Sequence, residues 1–198
     1  DRAAEKKVEQ LFDSILRNYP IGSFLFWKLR KTDVETDRFA QPNSDKLNFQ
    51  LYRFIEDYDV RNPHNEKIDI AKVKSNDLNI VLEGQQRLTS LFIGLKGSRT
   101  LKKPKSWWEN PNAFELKKLY LNLRYQPSEE DTEDCYQFEF KNPYQVPAPD
   151  ENNYWFKVGD ILNISSLFEY CQANKLSFVE AGIIEKLKNV ICVERIIS

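Results

Sequence analysis

The sequence predicts an α+β fold, a mixed β-sheet with flanking helices. One long N-terminal segment repeats its apolar residues at the 3.6-residue helical period. Further along, short apolar or alternating segments are separated by turn residues, as in strands. The 198 residues are enough for one ample core, and no linker or internal repeat divides them. We therefore expect residues 1–198 to form a single domain.

The N-terminal elements come from periodicity and turn signals. Residues 2–18 are predicted to form a helix that ends before Pro20. Its apolar face comprises Val8, Leu11, Phe12, Ile15, Leu16 and Tyr19. The apolar run 24–29 predicts a buried strand, and the stretch 19–27 as a whole is expected in the core. Residues 30–77 are interpreted as an insertion, in which the aromatic-rich segment 47–58 favours a strand.

The rest of the chain alternates strands and helices. The run 78–82 predicts a strand, followed by a helix over 86–95 that ends at Gly97. Residues 98–113 are basic and are expected to form a loop, as is the acidic run 129–134. Further strands are predicted at 119–123, 136–141 and 154–158, with one or two helices between 161 and 187. The last residues, 190–198, resemble a truncated strand.

Composition excludes several classes of protein. With 41% apolar and 30% charged residues the chain is typical of soluble globular proteins. No apolar run approaches the ~18 residues that span a bilayer, and the charged N-terminus is no signal peptide, so we expect no membrane association. The net charge of −1 gives no overall attraction to nucleic acid, so DNA binding would need a local patch.

The numbers of cysteine, histidine and methionine residues limit the expected compartment, the class of enzyme and the kind of chain. Cys135, Cys171 and Cys192 are odd in number and far apart, which favours a reducing cytoplasm. A single histidine, His64, argues against histidine-metal nucleases, zinc hydrolases and histidine-based triads. The absence of methionine predicts that the chain is an internal piece of a longer protein.

The most informative segment is the strand-to-helix turn from Glu83 to Thr89. A glycine lets a ligand approach the backbone, and the first N–H groups of a helix are unpaired donors in a field that favours anions. Arg87 can hold an oxyanion by two parallel hydrogen bonds. These residues suggest a phosphate site. The alternative is a plain loop–helix junction in which Arg87 pairs with a surface carboxylate, and the residues alone leave both open.

Two segments together carry a family resemblance. Residues 11–27 and the run Glu-Gly-Gln-Gln-Arg-Leu-Thr-Ser-Leu at 83–91 resemble the N-terminal domain of GmrSD-type, modification-dependent restriction proteins. That domain belongs to the ParB/sulfiredoxin-like superfamily, and its signature is Asp-Gly-Gln-Gln-Arg. Segments 119–123 and 155–160 agree more loosely. The resemblance implies a ParB/sulfiredoxin-like fold that binds and hydrolyses a nucleoside triphosphate. It also implies gating of a C-terminal nuclease domain in cytoplasmic bacterial or archaeal defence against phage or modified DNA.

The resemblance assigns roles to the turn. The nucleotide-binding residues would be Gly84, Gln85, Gln86, Arg87 and Thr89. The catalytic residues would be Glu83, which holds Mg²⁺ through water or acts as a base, Gln86, which orients a water or phosphate oxygen, and Arg87, which neutralises phosphate charge.

Three departures from the family pattern bear on this site. Glu83 stands where the family has Asp, and Ser90 where a second Thr is common. The family's Gln-Arg-aromatic segment before the first helix does not occur in this sequence. Sulfiredoxin-like enzymes place Cys and His at positions 85 and 86, where this chain has glutamines, so sulfur chemistry is not expected.

A second candidate site is a basic and aromatic cluster. Its members are Lys102, Lys103, Lys105, Trp107 and Trp108. Lysines on phosphates and a ring stacked on a base would make a nucleic-acid contact. The alternative, favoured by the near-zero net charge, is a solvated loop whose tryptophans anchor it to the core.

The expected partners follow from these interpretations. They are a nucleotide with Mg²⁺, DNA for the full-length protein, the nuclease domain in cis, and a second copy of the chain in a homo-oligomer. A different class of function is a non-hydrolytic module that recognises DNA or a protein partner while keeping the architecture of the turn.

Overall fold

The computed structural model describes residues 2–30, 51–68, 77–127 and 135–193. The helices are α1 (Arg2–Leu16), α2 (Gln85–Leu95), α3 (Leu167–Ala173) and α4 (Phe178–Val193). The strands are β1 (Leu25–Arg30), β2 (Leu51–Tyr52), β3 (Asp57–Asp59), β4 (Lys67–Ile68), β5 (Asp77–Glu83), β6 (Ser98–Lys102), β7 (Phe114–Asn122), β8 (Phe138–Lys141) and β9 (Trp155–Lys157). Short 3₁₀ turns cover Pro111–Ala113 and Val158–Asn163. The predicted acidic turn at 129–134 and most of the predicted insertion lie outside the described residues.

Within the described residues, the main sheet has five strands and mixed pairing. Its order is β3–β6–β7–β8, with β9 also paired to β7. The β3–β6 pair is parallel and the others are antiparallel. Two smaller ribbons, β1–β5 and β2–β4, are separate antiparallel pairs. The predicted α+β fold with a mixed sheet and flanking helices is confirmed.

The core lies where α1, α2 and α4 meet the main sheet. Phe12 and Leu16 of α1 are fully buried, and the Phe12 ring lies 5.7 Å from the ring of Phe138 on β8. A side chain at Gly94 of α2 would place its Cβ 2.4 Å from the Phe12 ring, so α2 approaches α1 only because that residue is glycine. The apolar stripe read from residues 2–18 therefore builds the core, except for Tyr19, which lies past the helix end and is exposed.

Several predicted elements agree with the structure within one to three residues at their ends. They are the helices at 2–18 and 86–95 and the strands at 78–82, 136–141 and 154–158. The one or two helices predicted between 161 and 187 are two, α3 and α4, which begin and end about six residues later than predicted. The predicted strand at 119–123 is the second half of the longer β7. Of the ambiguous segment 47–58, only β2 and the first two residues of β3 are extended, and 47–50 lie outside the described residues.

The prediction of a loop over 98–113 is wrong at its start, because Ser98–Lys102 forms the buried strand β6. Its sequence, Ser-Arg-Thr-Leu-Lys, is too polar to indicate a core strand. Two of its polar side chains make contacts with residues distant in sequence, although Arg99 Nε is buried with no hydrogen-bond partner among the described residues. The Ser98 hydroxyl donates to Asp57 Oδ1 at 2.5 Å, and the Arg99 guanidinium lies 4.7 Å from the centre of the Tyr58 ring. Burial lowers the pKa of this guanidinium below its usual value.

Two further predictions are corrected. The segment 24–29 is a strand, but it is not buried, since Leu25 and Phe26 are about half exposed. The reason is its partner: among the described residues, β1 pairs with β5 alone, in a two-stranded ribbon. Residues 190–193, interpreted as part of a truncated strand, continue helix α4, and 194–198 lie outside the described residues.

Within the described part of the chain, no helix combines the length and apolar character needed to cross a membrane.

Candidate functional site

The turn between β5 and α2 depends on a left-handed glycine. Gly84 adopts φ 84° and ψ 11°, a conformation in which a side chain costs about 1–2 kcal/mol. A Cβ there would also lie 2.6 Å from Cδ1 of Phe24. The backbone therefore reverses tightly, and Glu83 at the strand end and Gln85 at the helix start lie on either side of one glycine.

The N-terminus of α2 has no side-chain cap. The first turn of hydrogen bonds begins with Leu88 N–H, which donates to the Gly84 carbonyl at 2.9 Å. The N–H groups of Gln85, Gln86 and Arg87 precede it and have no acceptor within the helix. Together with the helix dipole, such donors favour an anion at this end of α2.

Arg87 connects this turn to the segment after α1. Its guanidinium donates one hydrogen bond to the Ile21 carbonyl and another, of 2.9 Å, to the Ser23 carbonyl. It also lies 5.2 Å from the centre of the Phe24 ring. Gly22, between the two accepting residues, has φ 83° and leaves the space that the guanidinium occupies. The two segments that carry the family resemblance are thus in direct contact through Arg87.

The sequence leaves two partners open for Arg87, a phosphate or a surface carboxylate. The structure instead shows backbone carbonyls as its hydrogen-bond acceptors among the described residues. Such acceptors have no sequence signature, since every residue carries a carbonyl. A guanidinium has five N–H donors, and these two bonds leave others for a ligand.

The remaining residues of the turn separate into exposed and half-buried side chains. Glu83, Gln85 and Gln86 are exposed, whereas Thr89 is half-buried on α2. The Gln85 amide donates to the Val81 carbonyl at 2.8 Å, which fixes it along the end of β5. The side chains of Glu83 and Gln86 have no hydrogen-bond partner among the described residues and can reach a ligand at the helix start.

Among the described residues, no group of three or more His, Cys, Asp or Glu side chains is arranged to hold a metal ion. Glu83 is the one carboxylate of the turn. A single carboxylate fits Mg²⁺ that arrives with a nucleotide, because that ion is usually held by one or two carboxylates, phosphate oxygens and water. The turn does not fit a metal bound by protein side chains alone.

The predicted nucleic-acid cluster lies on the hairpin between β6 and β7. Lys102 is the last residue of β6, and its ammonium group donates to the Ser106 carbonyl and lies 5.7 Å from the centre of the Trp108 ring. Trp108 in turn packs against Phe114, with ring centres 5.7 Å apart. Lys103 and Lys105 are exposed, and Trp107 is 80% exposed. Lys102 and Trp108 therefore pack within the hairpin, whereas Lys103, Lys105 and Trp107 face solvent.

Two grooves lie away from the Gly84 turn. The larger, about 870 Å³, lies between the first half of α1 and strands β6 to β8, and the other, about 620 Å³, lies beside Gly97 and Asp160. No residue of 83–89 lines either groove. The turn therefore lies outside both of these grooves.

The larger groove contains buried charges that the sequence analysis did not single out. Glu5 of α1 is buried and pairs with the Lys117 ammonium at 3.1 Å. One turn on, burial raises the pKa of the Glu9 carboxyl above its usual value, against the hydrogen bond that the Phe140 N–H donates to it. The i, i+4 spacing of the two glutamates is the one sequence signal for them, and it equally fits a solvated helix face.

A comparison with known families finds a match over most of the chain. A family model described as GmrSD restriction endonuclease, N-terminal domain, matches residues 4–191. This match covers nearly the whole chain, including both segments joined by Arg87. No curated protein matches the chain significantly.

Proposed function

The chain belongs to the family of GmrSD restriction endonuclease N-terminal domains, and from this premise we propose that it binds a nucleoside triphosphate at the Gly84 turn. In this proposal the domain is the regulatory part of a restriction protein of a bacterial or archaeal cytoplasm. Nucleotide binding, and hydrolysis with it, would control DNA cleavage by a nuclease domain in cis, C-terminal to this one. A homo-oligomeric form is part of the same proposal.

One observation carries the nucleotide site: an uncapped helix N-terminus directly after a left-handed glycine. The N–H groups of Gln85, Gln86 and Arg87 supply donors, and Gly84 leaves no side chain between them and a ligand. Such a turn favours a phosphate ligand, because phosphate oxygens accept several N–H hydrogen bonds and the positive end of the helix dipole stabilises their negative charge.

The side chains of the turn take complementary roles in the proposal. Gln86, exposed and without a partner among the described residues, orients a phosphate oxygen or an attacking water. Glu83 holds Mg²⁺ through water or accepts the proton of that water. Gln85 contributes its backbone N–H while its amide is held by Val81, and Thr89 supports the first turn of α2.

Arg87 has two roles in this account. Its bonds to the Ile21 and Ser23 carbonyls hold the turn against the segment after α1. Its positive charge, at the same helix end as the free N–H groups, stabilises a phosphate and the charge that develops on it. A nucleotide that draws on the remaining guanidinium donors would therefore act on residues 21–24 as well, which offers a route from binding to a change elsewhere in the protein.

A second candidate function is favoured by the same bonds. If Arg87 keeps its hydrogen bonds to the two backbone carbonyls and makes none to a ligand, the turn keeps its architecture but lacks its strongest group for binding phosphate. The domain would then be a non-hydrolytic module that recognises DNA or a protein partner. The two functions differ in one measurable property, which is the affinity for nucleotide in the presence of Mg²⁺.

The test is a titration of the purified chain with ATP, GTP, CTP and UTP in the presence of Mg²⁺, by calorimetry, together with an assay of phosphate release. The informative variant is Gln86→Ala, which removes an exposed side chain that has no hydrogen-bond partner among the described residues. Its matched control is Gln172→Ala, an exposed glutamine on helix α3.

We expect one or more nucleotides to bind the wild type and the Gln172→Ala variant alike, with weaker binding and no release by Gln86→Ala. Glu83→Gln should bind nucleotide without hydrolysing it. Binding without release by the wild type would reduce the proposal to a sensor. Absence of binding to all four nucleotides would favour the non-hydrolytic module instead.

A further inference from the structure

The hairpin between β6 and β7 holds a tryptophan out into solvent. Trp107 is 80% exposed, whereas tryptophan is highly buried on average in folded proteins. Trp108 packs on Phe114, although it remains 55% exposed, as expected of a tryptophan that anchors the loop. Trp107 is exposed further still, so it is the indole of the pair that a partner can reach.

The backbone around Trp107 is fixed on both sides. Before it, the Ser106 carbonyl accepts from the Lys102 ammonium, and the Lys103 N–H donates to the Ala113 carbonyl at 2.7 Å across the hairpin. After it, the Trp107 carbonyl accepts from the Asn110 N–H at 3.3 Å. A partner would therefore meet an indole whose backbone is already held in place, which reduces the entropy lost on binding.

The neighbouring aromatic and cationic groups support the hairpin from behind. Trp108 lies between Phe114 and the Lys102 ammonium, and the Arg61 guanidinium lies 4.9 Å from the centre of the Phe114 ring. These contacts occupy Trp108 and Lys102. They leave Lys103, Lys105 and Trp107 as the groups that a partner can reach.

The charge of the hairpin selects the chemistry of the partner. Residues 102–110 contain three lysines and one glutamate, Glu109, although the chain as a whole has a net charge of −1. An exposed indole next to two exposed lysines, Lys103 and Lys105, complements a base beside phosphates. In duplex DNA the base faces are stacked on one another, so an indole at a hairpin tip reaches them only where the strands are unpaired.

We propose that Lys103, Lys105 and Trp107 form a contact surface for single-stranded nucleic acid, with the indole stacked on an unpaired base and the lysines on flanking phosphates. The contact does not depend on sequence, since every base has a π face. It also does not depend on the nucleotide site, because none of these residues belongs to the Gly84 turn. Failure of either proposal leaves the other intact.

The experiment measures fluorescence anisotropy of a labelled oligothymidylate titrated with the whole chain, without nucleotide, at several salt concentrations. Parallel titrations use a duplex of mixed sequence and vesicles containing phosphatidylglycerol. The variants are Trp107→Ala, Trp107→Phe and the pair Lys103→Gln with Lys105→Gln. The matched controls are Phe178→Ala, at an aromatic residue that is 94% exposed, and the pair Lys7→Gln with Lys67→Gln, which removes the same charge elsewhere.

Stacking on one base predicts that Trp107→Ala weakens oligothymidylate binding roughly 5- to 150-fold, and that Trp107→Phe recovers part of the loss. Removing both lysines should reduce the slope of log K against log salt by about 1.4, since each phosphate contact on a single strand contributes about 0.7. The two control variants should bind as the wild type does.

Four results would each overturn the proposal. They are no binding of the oligothymidylate at low salt, an unchanged affinity in Trp107→Ala, a preference for the duplex over the single strand, and binding to the anionic vesicles alone. Circular dichroism of each variant shows whether it is folded. The Trp107→Phe and lysine variants provide independent readings if Trp107→Ala is not.

Discussion

Arg87 and Gly22 should be energetically coupled, because the Arg87 guanidinium occupies the space that a side chain at position 22 would need. An ideal Cβ on Gly22 would lie 2.1 Å from Nη1 of Arg87, far inside contact distance. The backbone at Gly22 has φ 83°, which is unfavourable for alanine even when space is available. The perturbations are Gly22→Ala, Arg87→Met and the double substitution.

The magnitudes follow from the contacts. Arg87→Met removes two hydrogen bonds from a charged donor to carbonyls and keeps most of the aliphatic packing, so it should cost about 2–3 kcal/mol at this partly exposed site. Gly22→Ala should cost about 1–2 kcal/mol for the left-handed backbone. In the wild-type background it should also displace the guanidinium, for a total of about 3–5 kcal/mol.

The assay is equilibrium unfolding by urea of the wild type and the three variants. The double variant should lose about 3–5 kcal/mol, because once Arg87 is absent alanine at position 22 costs only its backbone strain. The coupling energy is then about 2 kcal/mol, well above the error of such a cycle. Costs that simply add would refute the reasoning, since they would mean that the guanidinium is not held where Gly22 leaves room for it.

Two further predictions test packing and electrostatics. Gly94→Ala should destabilise the fold by about 1–2 kcal/mol, since the clash with Phe12 outweighs the gain in helix propensity. Gly182→Ala, in open space on α4, should instead stabilise it by roughly 0.5–1 kcal/mol. Thermal melts compare the two variants, and a change of stability in the same direction in both would contradict the packing of α2 on α1. Glu180 is buried, which raises the pKa of its carboxyl, but bonds from the Ser177 N–H and Arg124 outweigh burial and hold that pKa below its usual value. Glu180→Gln should therefore cost about 2–3 kcal/mol of stability at neutral pH. A carboxyl whose pKa is lowered in the folded state stabilises the fold above its unfolded pKa of about 4.3, so the stability difference between variant and wild type should shrink as the pH falls below that value. A stability difference that stays constant down to pH 3 would contradict the role of the ionised Glu180 carboxylate.

The elements predictable from sequence are those whose pattern matches their packing. Helix α1 buries one face, so its 3.6-residue period is plain, and β8 alternates Phe138 and Phe140 inward with Glu139 and Lys141. Strand β6 was missed for the opposite reason. Its buried residues include Ser98 and Arg99, whose burial depends on Asp57 and on two aromatic rings distant in sequence.

The candidate site shows the same limit. The strand end, the glycine and the start of α2 were all predicted, because each has a local signature at Glu83–Thr89. The hydrogen-bond acceptors of the Arg87 side chain were not predicted, because they are two backbone carbonyls more than sixty residues away in the sequence. For the β6–β7 hairpin, sequence identified the basic and aromatic residues, but only the structure separates Trp108, which packs, from Trp107, which does not.

The central proposal, a triphosphate held by the start of α2, is tested most directly by the backbone amides themselves. Nuclear magnetic resonance of the ¹⁵N-labelled chain, titrated with each nucleoside triphosphate and Mg²⁺, reports every N–H separately. The largest saturable shifts should occur at Gln85, Gln86 and Arg87, with smaller ones at Ile21 to Ser23 through the Arg87 bonds. Shifts concentrated instead on the groove lined by Glu5 and Lys117, or no shifts at the turn, would contradict it.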